Sequence, residues 1–181
     1  MSSADTVGGG AAMPVTLTAR PLTAAAFTPF GGVSDAAHLP GKSIAGGRTH
    51  IHDSAIDFSG AARADGVPAI DIYRIAASSL PLDIRRLERH PASFQTFIPM
   101  TAAAYLVVVC PDDRQGQPVA GEAMAFTATG GQIVTYAEGV WHAGMTVLEA
   151  DGDLAMLMWK RGQGDTEFCD LADAIHVGAP S

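Results

Sequence analysis

Residues 104–110 read Ala-Tyr-Leu-Val-Val-Val-Cys, and this short apolar run decides the fold class. Side chains alternate between the two faces of a strand, so a run without charged residues predicts a strand that is buried on both faces. The run is far too short to be a membrane-spanning helix, which needs about 20 apolar residues. It therefore predicts a central strand inside a β-rich domain.

Similar short runs lie on both sides of this segment, separated by Gly, Pro or Asp. We predict further strands at Thr49–Ile51, Ala69–Ala76, Asp83–Glu88, Gln95–Pro99, Met124–Thr127, Gln132–Tyr136, Thr146–Glu149 and Leu154–Trp159. Short helical turns are expected after Thr23 and at Leu171–Ile175, and the stretch Gly31–Gly47 is expected to be a loop. Many short strands without alternating long helices favour an all-β sandwich or barrel.

Composition limits the classes of function. The net charge of −8 would repel a polyanion, so nucleic acid is not expected as a partner. Residues 1–13 are small, polar and Gly-rich and lack the pattern of a secretory signal, so we expect a disordered leader followed by one domain over residues 14–181. Two cysteines, Cys110 and Cys169, cannot form a disulfide framework; we expect them to be unbonded and the protein to be cytoplasmic, with no membrane segment.

The densest group of reactive side chains lies between Leu87 and Pro99. Glu88 and His90 are two residues apart and should point to the same side of a strand, and Gln95 follows after the break at Pro91. A Glu-x-His pair is also common on surface strands without a catalytic role. The spacing alone therefore leaves both interpretations open.

A second group of candidate residues follows a turn at Glu138-Gly139. Trp141 offers an apolar wall for a pocket, although a tryptophan is more often part of a core or an interface. His142 offers a metal ligand or a general base. Together the two groups resemble a degenerate cupin site, in which Glu88, His90, Gln95 and His142 would surround a divalent metal inside a jelly-roll-like barrel.

The segment Leu87-Glu88-Arg89-His90-Pro91, with Gln95 and Phe97-Ile98-Pro99-Met100 after it, is similar to the ureidoglycolate lyase family of the cupin superfamily. Tyr136 and Val140-Trp141-His142 extend the resemblance. The sequence departs from the family pattern at three positions, which are Ala137, Ala143 and Lys160. Two are histidines in the family and the third is an aspartate.

The resemblance implies an all-β, cupin-type barrel with a few short helices. It also implies a homodimeric lyase of purine and allantoin breakdown that splits ureidoglycolate into glyoxylate and urea. This reaction needs a base for the hydroxyl proton, an acid for the departing nitrogen and a cation for the carboxylate.

We assign these expected roles to residues that the resemblance or the residue chemistry favours. His90 or His142 would be the base and Glu88 the acid. Arg74 would hold the carboxylate, with Lys160 as a second cation, and Gln95 would bind the urea amide. Two alternatives remain: a cupin of changed specificity, and a non-catalytic protein that binds a small carboxylate in the same pocket.

Overall fold

The structure is a computed structural model that describes residues 14–54, 56, 66–161 and 164–179. The predicted leader at residues 1–13 lies outside the described residues. The strands are β1 (Val15–Thr18), β2 (Arg20–Pro21), β3 (Gly31–Asp35), β4 (Gly41–Ile44), β5 (Thr49–His52), β6 (Val67–Ile75), β7 (Leu82–Arg89), β8 (Gln95–Pro99), β9 (Ala104–Cys110), β10 (Met124–Thr129), β11 (Gln132–Tyr136), β12 (Trp141–His142), β13 (Thr146–Leu148), β14 (Gly152–Lys160) and β15 (Glu167–Gly178). One α-helical turn, α1, spans Ala24–Phe27, and short 3-10 turns lie at Thr28–Phe30, Ala45–Gly47 and Ala120–Glu122.

The strands form two large sheets and one hairpin. The eight-stranded sheet has the order β1-β15-β7-β12-β9-β10-β2, with β13 also paired to β9, and the five-stranded sheet has the order β3-β11-β8-β14-β6. The hairpin is β4-β5. Side chains from both large sheets meet in one apolar core, so the two sheets face each other as the walls of a barrel. The predicted all-β barrel with a few short helices is confirmed.

Strand β9 is central, as its composition predicts. Tyr105, Val107 and Val109 face the core between the sheets. The alternating residues Leu106 and Val108 face a second apolar cluster on the outer side of the eight-stranded sheet. Every side chain of this set is almost fully buried, which is why the strand has no polar face.

The prediction of a loop over Gly31–Gly47 was wrong in part, because β3 and β4 lie inside it. Strand β3 is held by backbone pairing to β11, which does not require large apolar side chains. A Cβ atom at Gly31 would lie 1.9 Å from the Thr135 carbonyl oxygen, and the residue has φ of +143°. Glycine therefore permits this close pairing rather than marking a loop.

The predicted helical turn at Leu171–Ile175 was also wrong, because these residues belong to β15. The pairing of β15 with β7 shifts register between Asp170 and Ile175, so the strand is irregular at this place. Neighbouring strands override the local preference of small residues for a helix. The turn after Thr23 is confirmed, since the Thr23 hydroxyl accepts a hydrogen bond from the Ala26 amide at 3.2 Å.

The two cysteines are free, as predicted. Burial raises the pKa of the Cys110 thiol to about 12, so this side chain behaves as a small apolar group. Within the described ranges, no helix has the length and apolar character that crossing a membrane would require.

Candidate active site

Strand register brings the candidate residues together from both walls of the barrel. In the eight-stranded sheet, Glu88 on β7 lies directly opposite His142 on β12. In the five-stranded sheet, Gln95 on β8 lies directly opposite Tyr136 on β11. Because the two sheets face each other, these two cross-strand pairs meet at one end of the core.

His142 is the centre of the cluster. Its Nε2 atom lies 3.0 Å from Oε1 of Gln95 and 3.5 Å from Oε1 of Glu88. Its Nδ1 atom donates to the Val140 carbonyl at 2.9 Å. The Tyr136 ring stacks on the imidazole with centroids 4.1 Å apart and planes 10° apart. The ring is therefore fixed in orientation, and Nε2 faces the acidic and amide oxygens.

His90 presents a bare nitrogen to the same space. Its Nδ1 donates to the Asp165 carbonyl at 2.8 Å, so the proton of a neutral ring lies on Nδ1 and the lone pair on Nε2. Nε2 is buried and has no hydrogen-bond partner among the residues that the structure describes. The His90 and His142 rings are 5.6 Å apart. An unsatisfied buried acceptor of this kind points to a bound proton, metal or substrate group.

The turn after His90 is held by Asp165. This buried carboxylate accepts a hydrogen bond from the Ala92 amide at 3.0 Å and another from the Ser93 hydroxyl. The Ser93 hydroxyl oxygen also lies 2.7 Å from the Trp159 carbonyl oxygen. Asp165 thus fixes His90 twice, through its side chain and through its own carbonyl. The sequence offered no local signal for this role, since Asp165 is 75 residues away.

The surroundings set the charge of the cluster. The hydrogen bond from His142 is the largest influence on Glu88, and it holds the pKa of that carboxyl below its ordinary value. Burial lowers the pKa of His90, which favours the neutral ring. A carboxyl with a lowered pKa is ionised near neutral pH and holds no proton to give, which argues against the expected role of Glu88 as an acid.

The cluster fits a divalent metal. Glu88, His90 and His142 each offer one ligand atom, and these atoms lie within 4.8 Å of one another. Two imidazoles and a carboxylate are ligands of borderline divalent ions, and the amide oxygen of Gln95 lies beside them. The bare Nε2 of His90 is an independent sign of such a site.

Arg74 does not reach this cluster. It lies on β6 opposite Asp153, and the guanidinium binds that carboxylate through two hydrogen bonds of 3.0 and 3.1 Å. Its side chain is 84% exposed. Asp153 alternates with the buried residues Leu154 and Met156, so the pair lies on the outer face of the sheet. The predicted carboxylate clamp at Arg74 is corrected for this reason.

Trp141 also points away from the cluster. It precedes His142 on the same strand and therefore faces the outer cluster of the eight-stranded sheet. There its ring lies under the Arg89 guanidinium at 4.6 Å and its Nε1 donates to the Gly116 carbonyl. It lines a separate cleft of about 490 Å³. The predicted apolar wall of the pocket is therefore not Trp141; Tyr136 is the ring that packs on His142.

Lys160 is the exposed last residue of β14. It is two residues beyond Met158, which pairs with Gln95, and so shares the inward face of β14. Its Nζ binds Asp71 at 2.5 Å. Of the two histidine positions that differ from the family pattern, Ala143 faces the outer cluster together with Trp141. A histidine there would point away from the cluster around His142.

Comparisons with known proteins identify a family and relatives that this chain resembles. The family model described as ureidoglycolate lyase matches residues 14–177. A ureidoglycolate lyase of Mesorhizobium japonicum is 38% identical over 169 residues, which cover 91% of this chain and 98% of that protein. A ureidoglycolate lyase of Burkholderia mallei is 38% identical over 144 residues, which cover 78% of this chain and 81% of that protein.

Among solved structures, a dTDP sugar isomerase of Desulfovibrio desulfuricans has a TM-score of 0.46 and 16% identity, covering 78% of this chain and 85% of that one. The identities to the two lyases are far higher, and the family match includes the strands that carry Glu88, Gln95 and His142. On the family match and these relatives, the chain belongs to the ureidoglycolate lyase family.

Proposed function

We propose that this protein cleaves ureidoglycolate to glyoxylate and urea. The observation that carries the proposal is the buried cluster in which a bare imidazole nitrogen, a carboxylate and an amide meet. Elimination from the hydroxyl-bearing carbon needs a group that accepts the hydroxyl proton, and His90 Nε2 is such a group. The family relatives act on the substrate that their names state, and this cluster lies within the matched region.

Four side chains have distinct roles in this proposed reaction. His90 Nε2 takes the hydroxyl proton as the carbonyl forms. The Glu88 carboxylate faces His142 and would balance positive charge on the imidazoles during this transfer. Gln95 holds the ureido group through its amide. Lys160 binds the substrate carboxylate in place of the outward-facing Arg74.

The experiment that tests this function is a direct assay of turnover. Purified protein is incubated with ureidoglycolate, glyoxylate is followed continuously, and spontaneous breakdown is subtracted. Glyoxylate release well above the blank supports the proposal. Tight binding of glyoxylate without turnover would instead favour the non-catalytic carboxylate-binding alternative.

We also propose a divalent metal site at Glu88, His90 and His142, with Gln95 as a fourth oxygen donor. This site is an alternative to the free base, because a bound ion would occupy His90 Nε2 and would itself polarise the substrate hydroxyl. Calorimetric titration with Zn²⁺ and with Mn²⁺ tests the site independently of activity. Binding of one ion per chain that is lost in Glu88→Gln supports it, and equal binding by the variant contradicts it.

We propose a homodimer, which the family resemblance implies. Ile70 and Ile72 lie on the outer face of the edge strand β6 and are 68% and 57% exposed. Adjacent exposed isoleucines on a sheet edge favour association with a second copy. Light scattering should give twice the chain mass for the wild type and a smaller mass for Ile70→Lys/Ile72→Lys.

A cytoplasmic location and a place in allantoin breakdown complete the proposal. The unbonded cysteines support the first of these, since an oxidising compartment favours disulfides. Fractionation of cells that produce the protein tests the location. Growth of a deletion strain on allantoin as the nitrogen source tests the pathway.

A further inference from the structure

The imidazole of His90 is held on its Nδ1 side by the segment that leads from β14 into β15. The Asp165 carbonyl accepts the Nδ1 proton at 2.8 Å, and the Thr166 hydroxyl oxygen lies 3.2 Å from the same nitrogen. A carbonyl oxygen can only accept a hydrogen bond, so this contact requires the proton on Nδ1. The segment therefore determines which of the two ring nitrogens is left without a proton.

The Asp165 side chain returns to the turn that follows His90. Its Oδ1 accepts a hydrogen bond from the Ala92 amide at 3.0 Å, and its Oδ2 accepts one from the Ser93 hydroxyl. Ser93 is almost fully buried, and its hydroxyl oxygen lies 2.7 Å from the carbonyl oxygen of Trp159 near the end of β14. One carboxylate thus connects the turn after β7 with the segment that leads into β15.

These contacts separate the backbone of His90 from its ring. The His90 carbonyl accepts a hydrogen bond from the Gly139 amide at 2.9 Å, so the backbone is held without Asp165. The ring is held through the Asp165 carbonyl, whose position depends in turn on the Asp165 carboxylate and its bond to the Ala92 amide. Loss of the carboxylate should therefore release the ring more than the backbone.

We propose that Asp165 is a positioning residue, whose carboxylate keeps its own carbonyl against His90 Nδ1 and so leaves the Nε2 lone pair of His90 available to the cluster. The inference rests on the proposed function, which uses that lone pair either as the base or as a metal ligand. Both uses require the proton on Nδ1. Asp165 acts through His90 and contacts neither the substrate nor an ion, as is usual for groups that orient a histidine.

The direct test is the tautomer of His90, measured by long-range proton–nitrogen NMR of the metal-free protein at mildly alkaline pH. Couplings to the ring protons show which nitrogen carries the proton, and the His90 signals are identified by their loss in His90→Gln. We expect only the Nδ1–H tautomer in wild type and a mixture of both tautomers in Asp165→Ala. A wild-type ring protonated on Nε2 overturns the inference, and so does an unmixed Nδ1–H ring in Asp165→Ala.

Turnover and metal binding should follow the tautomer. Asp165→Ala should lower kcat and weaken Zn²⁺ binding by about 10- to 100-fold each, the usual scale for losing a group that orients a ligand. Asp165→Asn should recover most of both losses, because its Oδ1 still accepts from the Ala92 amide and its Nδ2 can donate to the Ser93 hydroxyl oxygen. An asparagine variant as defective as the alanine variant overturns a role in positioning.

Asp151→Ala is the matched control. Asp151 also accepts a hydrogen bond from a distant backbone amide, that of Ala77 at 2.8 Å, but it precedes β14 at the end opposite to Met158, which pairs with Gln95. This variant should lower the thermal midpoint and leave the His90 tautomer, Zn²⁺ binding and kcat unchanged. A tautomer mixture in Asp151→Ala would show a general effect of lost stability and overturn the inference.

Ser93→Ala provides a second variant if Asp165→Ala does not fold. It removes one partner of the carboxylate and keeps the Ala92 contact, so a smaller admixture of the Nε2–H tautomer is expected. An unmixed Nδ1–H ring in every folded variant overturns the inference. A wild type that shows the expected tautomers but does not turn over ureidoglycolate overturns the proposed function and leaves the positioning of His90 supported.

Discussion

Strand β7 carries two carboxylates, and each faces a histidine on a flanking strand. Glu88 lies 3.5 Å from His142 on β12, and Asp83 lies 3.0 Å from His176 on β15. In both pairs the bond to histidine is the main reason that the pKa of the carboxyl is lowered. The side chains of the first pair are 26% and 2% exposed, whereas those of the second are 44% and 45% exposed.

The difference shows what turns a pair of common residues into a candidate active site. His142 has an aromatic ring stacked on one face, an amide at its Nε2 and a second histidine with a bare nitrogen nearby. The second pair lies at the surface, where Asp83 also binds Arg85. Enclosure, rather than contact distance, strengthens the electrostatic interactions of the inner pair.

The largest expected effect is on turnover. His142→Asn should lower kcat by about 100- to 10,000-fold, because it removes the ring that contacts both Glu88 and Gln95 in the cluster proposed to handle the proton. His176→Asn, the matched change in the exposed pair, should leave kcat within about twofold of wild type. Steady-state glyoxylate assays of the two variants measure the contrast. Equal losses in both would show that enclosure does not decide which pair acts.

The next effect concerns two cationic residues on the paired strands β6 and β14. Lys160→Met should raise KM about tenfold, the equivalent of ~1.4 kcal/mol, if the inward-facing ammonium binds the substrate carboxylate as proposed. Arg74→Met should leave KM unchanged, because Arg74 faces outward and binds Asp153. Steady-state kinetics give the KM of each variant and show which of the two cations binds the substrate. A raised KM in Arg74→Met alone would restore the clamp that the sequence predicted.

A smaller effect is expected in the dependence of stability on pH. Burial lowers the pKa of His90 in the folded state, so below about pH 6.5 the unfolded chain takes up more protons than the folded chain. The free energy of unfolding should therefore decrease as the pH falls from 6.5 through the folded pKa. Urea denaturation at pH 7 and pH 5.5 should show a smaller decrease in His90→Asn than in wild type. An identical decrease would mean that His90 is not buried as a neutral ring.

The smallest effect is expected from the exposed pair itself. Asp83→Asn should shift the thermal midpoint slightly at low salt and not at all in 1 M NaCl, since salt screens exposed charges. Glu88→Gln should lower the midpoint at both salt concentrations, because its partner His142 is buried. Melting curves of both variants at the two salt concentrations provide the test. Salt-sensitive behaviour of Glu88→Gln would place that carboxylate in open solvent.

The local pattern of the sequence predicted much of the fold. The apolar run at residues 104–110 predicted a central strand, and the two-residue spacing of Glu88 and His90 placed both on one side of β7. These features depend on alternation within one strand. The irregular pairing of β15 and the pairing of β3 with β11 depend on distant strands, so local composition could not reveal them.

Residue spacing within a strand predicted which candidate side chains share a face. It did not predict which face of each strand points into the barrel. Strand β6 has apolar residues on both faces, such as Ala69 and Ile70, so its composition does not show that Tyr73 points inward and Arg74 outward. Trp141 and His142 are adjacent and must face opposite sides, and only the register with β7 and β9 decides which one is inside. A one-residue change of register would exchange the two.

The attachment of His90 to Asp165 bears on the order in which the protein is made. His90 leaves the ribosome 75 residues before the carbonyl that fixes its ring. A nascent chain that has folded as far as β12 already holds Glu88, Gln95 and His142, but its His90 ring has no anchor. The cluster can become competent only after the segment that carries Asp165 emerges, so a partly synthesised barrel should remain inactive however much of its core has formed.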